Sequence, residues 1–486
     1  MFWRNSTSGL KQINFNDQFS PEMTNDTADS PEHQAPGVVE LREDVPLKAG
    51  VEGSGGVWGG GSCVRGPKLI VAAFAALSAA ITLALLTQIY YGDYEIVPHG
   101  ATSSSVAACS RAGTDALKDG GFALDAAVAA ALCLAVTAPH RTSMDASGSM
   151  LYWEYRQSRT QQPSLIEWGG SATQSDAHRP PRLVAALAAL HAQLGVLPWS
   201  RLVQPAIELA REGFPVSEGL AAVEGAAGMK VMVPGAMRSA PALADFLETL
   251  KKNTSAELSA AWNSASLLRK NLPRATTRSG VRVWAGGPGA GVALEAIETA
   301  LQTTLSDPDQ ITLKVVNSLQ QAAAAEGSDW PPAGVASGLA VIDRRDNYLA
   351  LVTGLSMPFG NGALTGEGWA YDEPTAPLDL APAFLTDDLV CGTRYVIGAE
   401  SSAALAQAAV ILATGGGAGG VEHGRLQIVR GGALGLEATR PEPLFGSPAP
   451  TINASLPYAA VNVVQQRGDS LLSHADSRGG GLASRF

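Results

Sequence analysis

The sequence has little positive charge and no residue pattern typical of a nucleic-acid or metal-binding protein. Its 486 residues contain 34 Lys and Arg against 45 Asp and Glu, a net charge of -11, with no basic stripe interleaved with aromatic residues. A phosphate backbone would not be attracted to such a chain, so we expect no nucleic-acid partner. The histidines lack metal-ligand spacing, so we expect no metal and no cofactor. The 53 glycines have no period, which excludes a collagen-like or solenoid chain.

The composition is that of a globular protein. Apolar residues make up 46% of the chain and charged residues 16%. That balance, at this length, can bury the core of one large domain or of two ordinary ones.

The N-terminal region divides into a polar tail and one apolar segment. Residues 1–68 are rich in Ser, Asn, Asp, Pro and Gly, and cannot bury enough apolar surface to offset their ordering entropy, so we expect a disordered tail. Residues 69–89 then run without a charge. As a helix they span about 30 Å, the thickness of a bilayer's hydrocarbon core. Tyr90, Tyr91 and Tyr94 follow at the expected interfacial belt.

Flanking charge orients this segment. Arg65 and Lys68 precede it and Asp93 and Glu95 follow it, so the positive-inside rule puts the N-terminus in the cytosol. A cleaved signal peptide and a buried core helix are the alternatives. The tail and the run are too long for a signal peptide, and a core helix needs no charge asymmetry. The sequence predicts a single-pass type II membrane protein.

Residues 90–486 then face the lumen or the exterior, at the plasma membrane or in the secretory pathway. That side permits disulfides and N-glycans, and sequons begin at Asn253 and Asn453. Cys63, on the cytosolic side, is a candidate for palmitoylation or a plain free thiol.

Two alanine-rich helices are predicted at residues 106–118 and 123–135, with the turn Asp119-Gly120-Gly121 between them. An antiparallel pair would bring Cys109 and Cys133 near each other. A disulfide and two buried free thiols are both consistent with that arrangement.

Later segments predict strands as well as helices. We expect strands at residues 150–155 and 395–398, and a hairpin of residues 339–342 and 348–352 around a polar turn. Further helices are expected at residues 199–211 and 403–413. The pattern is that of an α+β fold.

Five stretches, in order, resemble the gamma-glutamyltransferases, also called glutathione hydrolases. They are CSRAGTDALKDGGFALDAAVAAALC at 109–133, GVLPWSRLVQPAIELAREGFPV at 195–216, the hairpin through Pro358-Phe359-Gly360, residues 391–400, and Asp476-Ser477-Arg478-Gly479-Gly480. The resemblance implies a four-layer αββα sandwich of the N-terminal-nucleophile hydrolase type after one transmembrane helix. It also implies a large-subunit-like part at 97–335, a small-subunit-like part at 336–486, and a Cys109–Cys133 disulfide, as in animal members.

The family reaction implies a nucleophile that this sequence lacks. In the family a precursor cuts itself before a threonine, whose hydroxyl attacks the γ-glutamyl carbonyl with its own α-amine as base. That position aligns with Ala336, and a methyl group cannot attack. Ser337 and Thr353 are weak substitutes for this nucleophile. In a strand, a shift of one residue turns the Ser337 side chain to the opposite face. Thr353 lies at a strand end, where its hydroxyl is more readily explained by a hydrogen bond to the backbone.

Other positions that the resemblance implies are also altered. The oxyanion glycines align with residues 401–402 and the substrate-binding serines with residues 383–384. The acidic pair for the substrate amine aligns near Pro374 and Pro377, and residues 166–170 lack the arginine for its carboxylate. The candidate substrate-pocket residues are Ser356, Glu373, Asp379, Ser401 and Ser402.

Two regions are reduced relative to the family. Residues 141–149 retain only Gly148 of a glycine-rich loop. Residues 216–281 are shorter than the family's usual segment, so either helices are missing or the gene model is trimmed. Together these losses predict a member without catalysis. An active glutathione hydrolase, and a binding partner of an active relative, are the alternatives. Glutathione or γ-glutamyl compounds are ligands only if the pocket survives, and the protein partner is unknown.

Overall fold

The structure, a computed structural model, describes residues 65–91, 99–158, 160–169, 179–303, 305, 307–326, 330–387, 392–428, 434–437 and 451–486. The chain divides into two compact units, Met1–Gly92 and Asp93–Phe486. Most of the predicted tail, together with Cys63 and Tyr94, lies outside the described residues.

The described part of the first unit is one helix, α1 (Arg65–Tyr91). Its segment Lys68–Thr87 has a mean hydropathy of 2.6 and is, among the described residues, the one helix long and apolar enough to cross a membrane. The helix begins four residues before the predicted start. Residues 65–68 are therefore helical, and the prediction that they belong to a disordered tail is wrong.

The second unit mixes helices and strands, which confirms the α+β class. The helices are α2 (Ala107–Lys118), α3 (Ala123–Thr137), α4 (Arg182–Leu194), α5 (Trp199–Glu212), α6 (Glu218–Ala226), α7 (Pro241–Lys251), α8 (Ser255–Ala261), α9 (Ala290–Leu301), α10 (Pro308–Glu326) and α11 (Ser402–Ala413). The predicted helices correspond to α2, α3, α5 and α11. Asp119 is the C-cap of α2, and Gly120 follows at φ +95°, a conformation that favours glycine.

The strands form two main sheets and two small ones. They are β1 (Ala101–Ser104), β2 (Ser147–Glu154), β3 (Ser164–Trp168), β4 (Phe214–Pro215), β5 (Met237–Arg238), β6 (Arg269–Asn271), β7 (Arg274–Arg278), β8 (Val281–Ala285), β9 (Val335–Ile342), β10 (Asn347–Leu355), β11 (Ala381–Asp387), β12 (Thr393–Ala399), β13 (Leu426–Ile428), β14 (Leu434–Leu436), β15 (Thr451–Asn453), β16 (Val461–Arg467), β17 (Ser470–His474) and β18 (Ser484–Arg485). The first sheet has the order β18-β1-β9-β10-β2-β3-β6 and the second β17-β16-β12-β11-β8-β7.

The predicted hairpin is the β9–β10 pair at the centre of the first sheet. Its turn is held by Asp343, whose Oδ1 accepts hydrogen bonds from the N–H groups of Arg345 and Asn347. The predicted strand at 395–398 lies within β12. The one at 150–155 lies within β2, although Tyr155 itself starts a 3-10 turn.

Side chains alternate along β9 between two different apolar clusters. Leu339 and Val341 pack with helices α2 to α7, whereas Ala340 and Ile342 pack against Phe384 of the second sheet. A separate cluster joins the other face of the second sheet to α9, α10 and α11. A strand that is buried on both faces has a continuous run of apolar residues, and this run made β9 recognisable from the sequence.

The two sheets approach each other closely at a pair of glycines. A Cβ built on Gly338 of β9 would lie 2.4 Å from the carbonyl oxygen of Gly398 on β12, and one built on Gly398 would lie 2.5 Å from the N of Leu339. Any side chain at either position would therefore push the sheets apart.

Cys109 of α2 and Cys133 of α3 form the disulfide that the resemblance implied, with their Cα atoms 5.3 Å apart. The alternative of two free thiols is wrong for the structure. Both cysteines are fully buried against the helix layer.

We predict that replacing both Cys109 and Cys133 with alanine lowers the free energy of unfolding by about 3 to 4 kcal/mol. The bridge closes a short loop and reduces the entropy of the unfolded chain by that amount. Urea denaturation with and without reductant measures it. Reductant should destabilise the wild type, leave the double variant unchanged, and have the same effect on a Cys63→Ala control as on the wild type.

We predict that Gly338→Ala destabilises the fold by roughly 1 to 3 kcal/mol, because overpacking an interior contact forces backbone shifts of that cost. Gly366→Ala is the matched control, since a Cβ there meets nothing within 4 Å. Equal urea midpoints for the two variants would contradict the glycine contact.

Candidate functional site

Ala336 lies at the start of β9, where it pairs with Gly354 of β10. It is 5% exposed, and its methyl group packs with Val352, Leu378 and Leu380. The same residue lines a cavity of about 230 Å³ between β9 and the N-terminus of α11. The position that aligns with the family nucleophile therefore faces a cavity but presents only a methyl group to it.

The two predicted substitutes for the nucleophile do not line this cavity. Ser337 is 1% exposed, and its Oγ has no hydrogen-bond partner among the described residues. It pairs across the sheet with Thr353, whose Oγ1 lies 2.9 Å from Oγ1 of Thr142. By the alternation of β9, Ser337 shares the helix-facing side with Leu339, so a slip of one residue does turn the hydroxyl away.

The residues that the resemblance aligns with the oxyanion glycines lie at the start of α11. Ser401 is the N-cap, and its Oγ accepts a hydrogen bond from the N–H of Ala404 at 3.1 Å. Ser402 donates twice to Oδ2 of Asp379, from its N–H at 3.0 Å and from its Oγ at 3.1 Å. One backbone donor at this position is thus already bonded to a carboxylate of the chain itself.

Asp379 is the most perturbed acidic group at the cavity. Burial raises the pKa of its carboxyl to about 6, although the two hydrogen bonds from Ser402 act in the opposite direction. The side chain is 6% exposed, and Oδ1 has no hydrogen-bond partner among the described residues. The N–H of Asp379 donates to the carbonyl of Ala333 at 3.1 Å, which holds the segment before β9 against the cavity.

An arginine that sequence reasoning missed also lines the cavity. Arg141 forms a buried ion pair with Glu400 and donates to the carbonyl of Tyr458 at 2.9 Å. Glu400 further accepts from Oγ of Ser105 at 2.7 Å and from the N–H of Ala460 at 2.8 Å. In the sequence, the one indication of this residue was its positive charge directly after Pro139-His140. The resemblance had described the surrounding loop only by its loss of glycines.

The C-terminal motif supports the far side of the cavity. Asp476 pairs with Arg425 at 2.5 Å and with Arg478 at 3.0 Å, and Arg478 also pairs with Glu437 at 2.7 Å. Burial alone would raise the pKa of Asp476, but the two guanidinium groups lower it below its usual value. Arg425 and Glu437 both line the cavity.

The predicted substrate-pocket residues separate into two groups. Asp379 and Ser401 line the cavity, and Ser402 is bonded to Asp379. Ser356 instead donates to Asp372 from its Oγ at 2.5 Å, and Glu373 is exposed; neither lines the cavity.

The remaining aligned segments have structural environments. Ala383 and Phe384 are fully buried in β11. Residues 166–169 cover the end of β3, where the guanidinium of Arg269 from β6 donates to the carbonyl of Gly169 at 2.9 Å. Gly148 is required by packing, since a Cβ there would lie 2.1 Å from the ring of Trp168.

The candidate N-glycosylation residues are accessible in the structure. Asn253 and Asn453 are both exposed. Ser255, the hydroxyl residue of the first sequon, is buried and lies 2.8 Å from Nδ1 of His191. Within the described residues, no group of three or more His, Cys, Asp or Glu side chains is arranged to hold a metal ion.

The fold is that of the N-terminal-nucleophile hydrolases. The crystal structure of cephalosporin acylase from Bacillus halodurans superposes with a TM-score of 0.62, covering 80% of this chain and 96% of that one at 18% identity. That similarity concerns the fold alone.

Residues 109–262 match the model of the gamma-glutamyltranspeptidase family, which supports the resemblance found in the sequence. Glutathione hydrolase 7 of Bos taurus is 34% identical over 168 residues, which are 32% of this chain and 25% of that protein. Glutathione hydrolase 6 of Mus musculus is 30% identical over 299 residues, 55% of this chain and 56% of that protein. The tail, the anchor and Cys391-Gly392-Thr393 also predict a relative of glutathione hydrolase 7, although Cys391 lies outside the described residues. The chain thus spans between about a quarter and about half the length of these curated relatives.

We predict that Arg141→Met destabilises the protein by about 3 to 5 kcal/mol, because it leaves the Glu400 carboxylate buried without its cation. The double variant Arg141→Met/Glu400→Gln should recover part of that loss. Urea denaturation followed by tryptophan fluorescence measures both. Lys118→Met is the control: its pair with Asp115 is roughly half exposed, so the cost should stay below about 1 kcal/mol.

Proposed function

We propose that this protein is a single-pass type II membrane member of the gamma-glutamyltransferase family that does not carry out the family's hydrolysis. The observation that carries the proposal is Ala336, a methyl group packed against Leu378 and Leu380 where the family requires a threonine hydroxyl. Removing a nucleophile that acts as part of a catalytic unit costs about a millionfold in turnover.

A four-layer αββα sandwich is the architecture we infer for residues 90–486. Its support is the set of three apolar clusters: one between the two sheets, one joining the first sheet to α2–α7, and one joining the second sheet to α9–α11. On this scheme residues 97–335 and 336–486 correspond to the two subunits of processed relatives, here joined through β9.

The orientation we propose places the second unit in the lumen or outside the cell, at the plasma membrane or in the secretory pathway. Arg65 and Lys68 lie at the N-terminal end of α1, on the side of its uncharged run that the positive-inside rule assigns to the cytosol. The Cys109–Cys133 disulfide is consistent with an oxidising compartment. Asn253 and Asn453 are exposed candidates for N-glycans there.

Two further features support loss of catalysis. Val335 pairs with Leu355, so the peptide before Ala336 lies within the β9–β10 ladder. The Ser402 N–H, at the oxyanion position, is already bonded to Asp379.

The alternative is an active glutathione hydrolase that uses Ser337 or Thr353. Both side chains are 1% exposed and absent from the cavity lining, so this alternative needs a rearrangement of β9. A role as binding partner of an active relative is compatible with the proposal, because the packing motifs are retained while the nucleophile is lost.

The proposal predicts one uncut chain. Full-length protein, tagged at both ends and run on a denaturing gel with and without reductant, should give a single band carrying both tags. Purified protein should not release p-nitroaniline from γ-glutamyl-p-nitroanilide. Two fragments produced by cleavage near residues 335 and 336, or release of p-nitroaniline, would contradict the proposal.

We further predict that Ala336→Thr does not restore self-cleavage. A hydroxyl at this position still lies within a paired strand, and the neighbouring Ser402 N–H remains bonded to Asp379. Ala336→Val, with the same shape and no hydroxyl, is the control on the same gel. Fragments from the threonine variant alone would mean that the missing hydroxyl was the only defect.

A further inference from the structure

Positive charge in the second unit is concentrated in one stretch that has no acidic residue. No Asp or Glu occurs between Glu257 and Glu295, although the whole chain has 45 acidic residues against 34 basic ones. A group of cations without interspersed acids produces a local positive potential on a protein whose net charge is negative. We call the cations of this stretch the basic edge; they are Arg269, Lys270, Arg274, Arg278 and Arg282.

The basic edge lies on the outermost strands of both main sheets. β6 is the last strand of the first sheet and β7 the last strand of the second, with only Leu272 and Pro273 between them in the chain. Two of the cations lie on β6, two on β7 and one on the adjacent strand β8, and all five residues are exposed. The fold therefore brings them to one rim of the molecule.

Three of these cations have no counter-charge. Within the ranges that the structure describes, Lys270, Arg274 and Arg278 form no ion pair and no side-chain hydrogen bond. Arg274 and Arg278 lie two residues to either side of Thr276, so their side chains leave the same face of β7. At about 3.4 Å per residue they are about 14 Å apart along the strand. One small anion cannot contact both, whereas a chain of anions can.

The other two cations are held by neutral groups. Arg269 donates to the carbonyl of Gly169 at 2.9 Å. Arg282 donates from Nε to Oγ1 of Thr277 at 3.1 Å, and its guanidinium lies 5.6 Å from the centre of the Trp284 ring. These contacts fix the positions of the guanidinium groups and leave their charge in place.

The carboxylates bonded or paired to these strands are less exposed than the cations. Glu167 accepts a hydrogen bond from Asn271 at 2.9 Å, and Glu298 accepts one from Thr276 at 2.8 Å. Asp387 lies opposite Val281 of β8. All three acids are partly buried, so positive charge predominates at the surface of the rim.

Cations of both sheets also meet at one concavity. Arg269 and Arg274 line a cleft of about 470 Å³ between the two sheet edges, together with Glu167, Asn271 and Leu272. Sites that hold small ligands have volumes of roughly 300 to 1,000 Å³. The cleft can therefore seat one unit of a longer ligand whose other units extend along β7.

We propose that the basic edge binds a sulfated polysaccharide, an elongated polyanion whose successive sulfates contact Lys270, Arg274 and Arg278. A guanidinium presents two parallel N–H donors to an oxyanion, and an ammonium adds a compact charge. The choice of a polysaccharide over a nucleic acid rests on the orientation proposed above, which places residues 90–486 in the lumen or outside the cell. None of the three residues lines the cavity at Ala336, so binding is independent of the family reaction.

Binding should weaken steeply with salt, because exposed charges are screened and each neutralised anion releases a counterion. We expect the dissociation constant to rise about tenfold between about 0.15 M and about 0.5 M sodium chloride, given three ionic contacts.

The experiment uses the full chain in phosphatidylcholine nanodiscs, with empty nanodiscs as blank. Surface plasmon resonance would measure its dissociation constants for immobilised heparin, hyaluronan and single-stranded DNA. Heparin carries sulfates and more charge per unit length than the other two, of which hyaluronan carries only carboxylates and DNA only phosphates. We expect saturable binding to heparin and about tenfold weaker binding, or none, to the other two.

Replacing the unpaired cations tests the contact residues. The triple variant Lys270→Gln/Arg274→Gln/Arg278→Gln should weaken heparin binding about tenfold or more, because three ionic contacts are lost. The charge-retaining variant Lys270→Arg/Arg274→Lys/Arg278→Lys should keep most of the affinity.

The matched control removes the same charge elsewhere. Arg111→Gln/Lys118→Gln/Lys230→Gln changes three exposed cations outside the basic edge, two of them on α2. Because long-range interactions between exposed charges are largely screened at physiological salt, heparin binding should change less than about twofold.

Each outcome decides the inference. DNA or hyaluronan bound as tightly as heparin, unchanged affinity in the first triple variant, or an equal loss in the control would overturn it. If the first variant has a lowered urea midpoint, the wild-type salt series decides instead, and an affinity independent of salt would refute the inference. Protease protection in microsomes tests the orientation separately. A digested second unit defeats the orientation and with it the choice of a polysaccharide, whereas a protected unit that does not bind heparin defeats this inference alone.

Discussion

The contact between the two sheets is the constraint on which the rest of the structure depends. Gly338 and Gly398 lie backbone against backbone, and around them Ile342, Tyr348 and Phe384 fill the space between the sheets. Fully burying an aromatic side chain of this kind contributes about 1.5 to 3 kcal/mol. With the sheets fixed at this distance, β9 is covered on both faces. Ala336, near the start of β9, is then packed against Val352, Leu378 and Leu380.

The cavity lies beside the start of β9. Ala336, two residues before Gly338, lines it, and Ser401 at the N-terminus of α11 lines it as well. The N–H of Ser402 donates a hydrogen bond to Asp379. A backbone donor that could stabilise an oxyanion is therefore already bonded within the chain.

Elements with strong local signals were predictable from the sequence. The helix pair α2–α3, the hairpin β9–β10 and the apolar helix α1 each have a continuous pattern of residues, so their existence needed no tertiary information. Their boundaries in the structure differ from the predicted ones by a few residues, as for α1, which begins at Arg65. The role of Arg141 was missed because the sequence offers only an isolated cation, and its partner Glu400 lies 259 residues away.

What the sequence alone determined was the class of fold, the candidate membrane helix and the absence of a threonine at position 336. Local periodicity and aligned motifs contain that information, since each depends on residues close together in the chain. Only the tertiary structure decided that Ser337 turns away from the cavity, that Asp379 accepts hydrogen bonds from Ser402, and that Arg141 and Arg425 are each paired with a carboxylate. These are properties of burial and of distance in space, which the order of residues does not express.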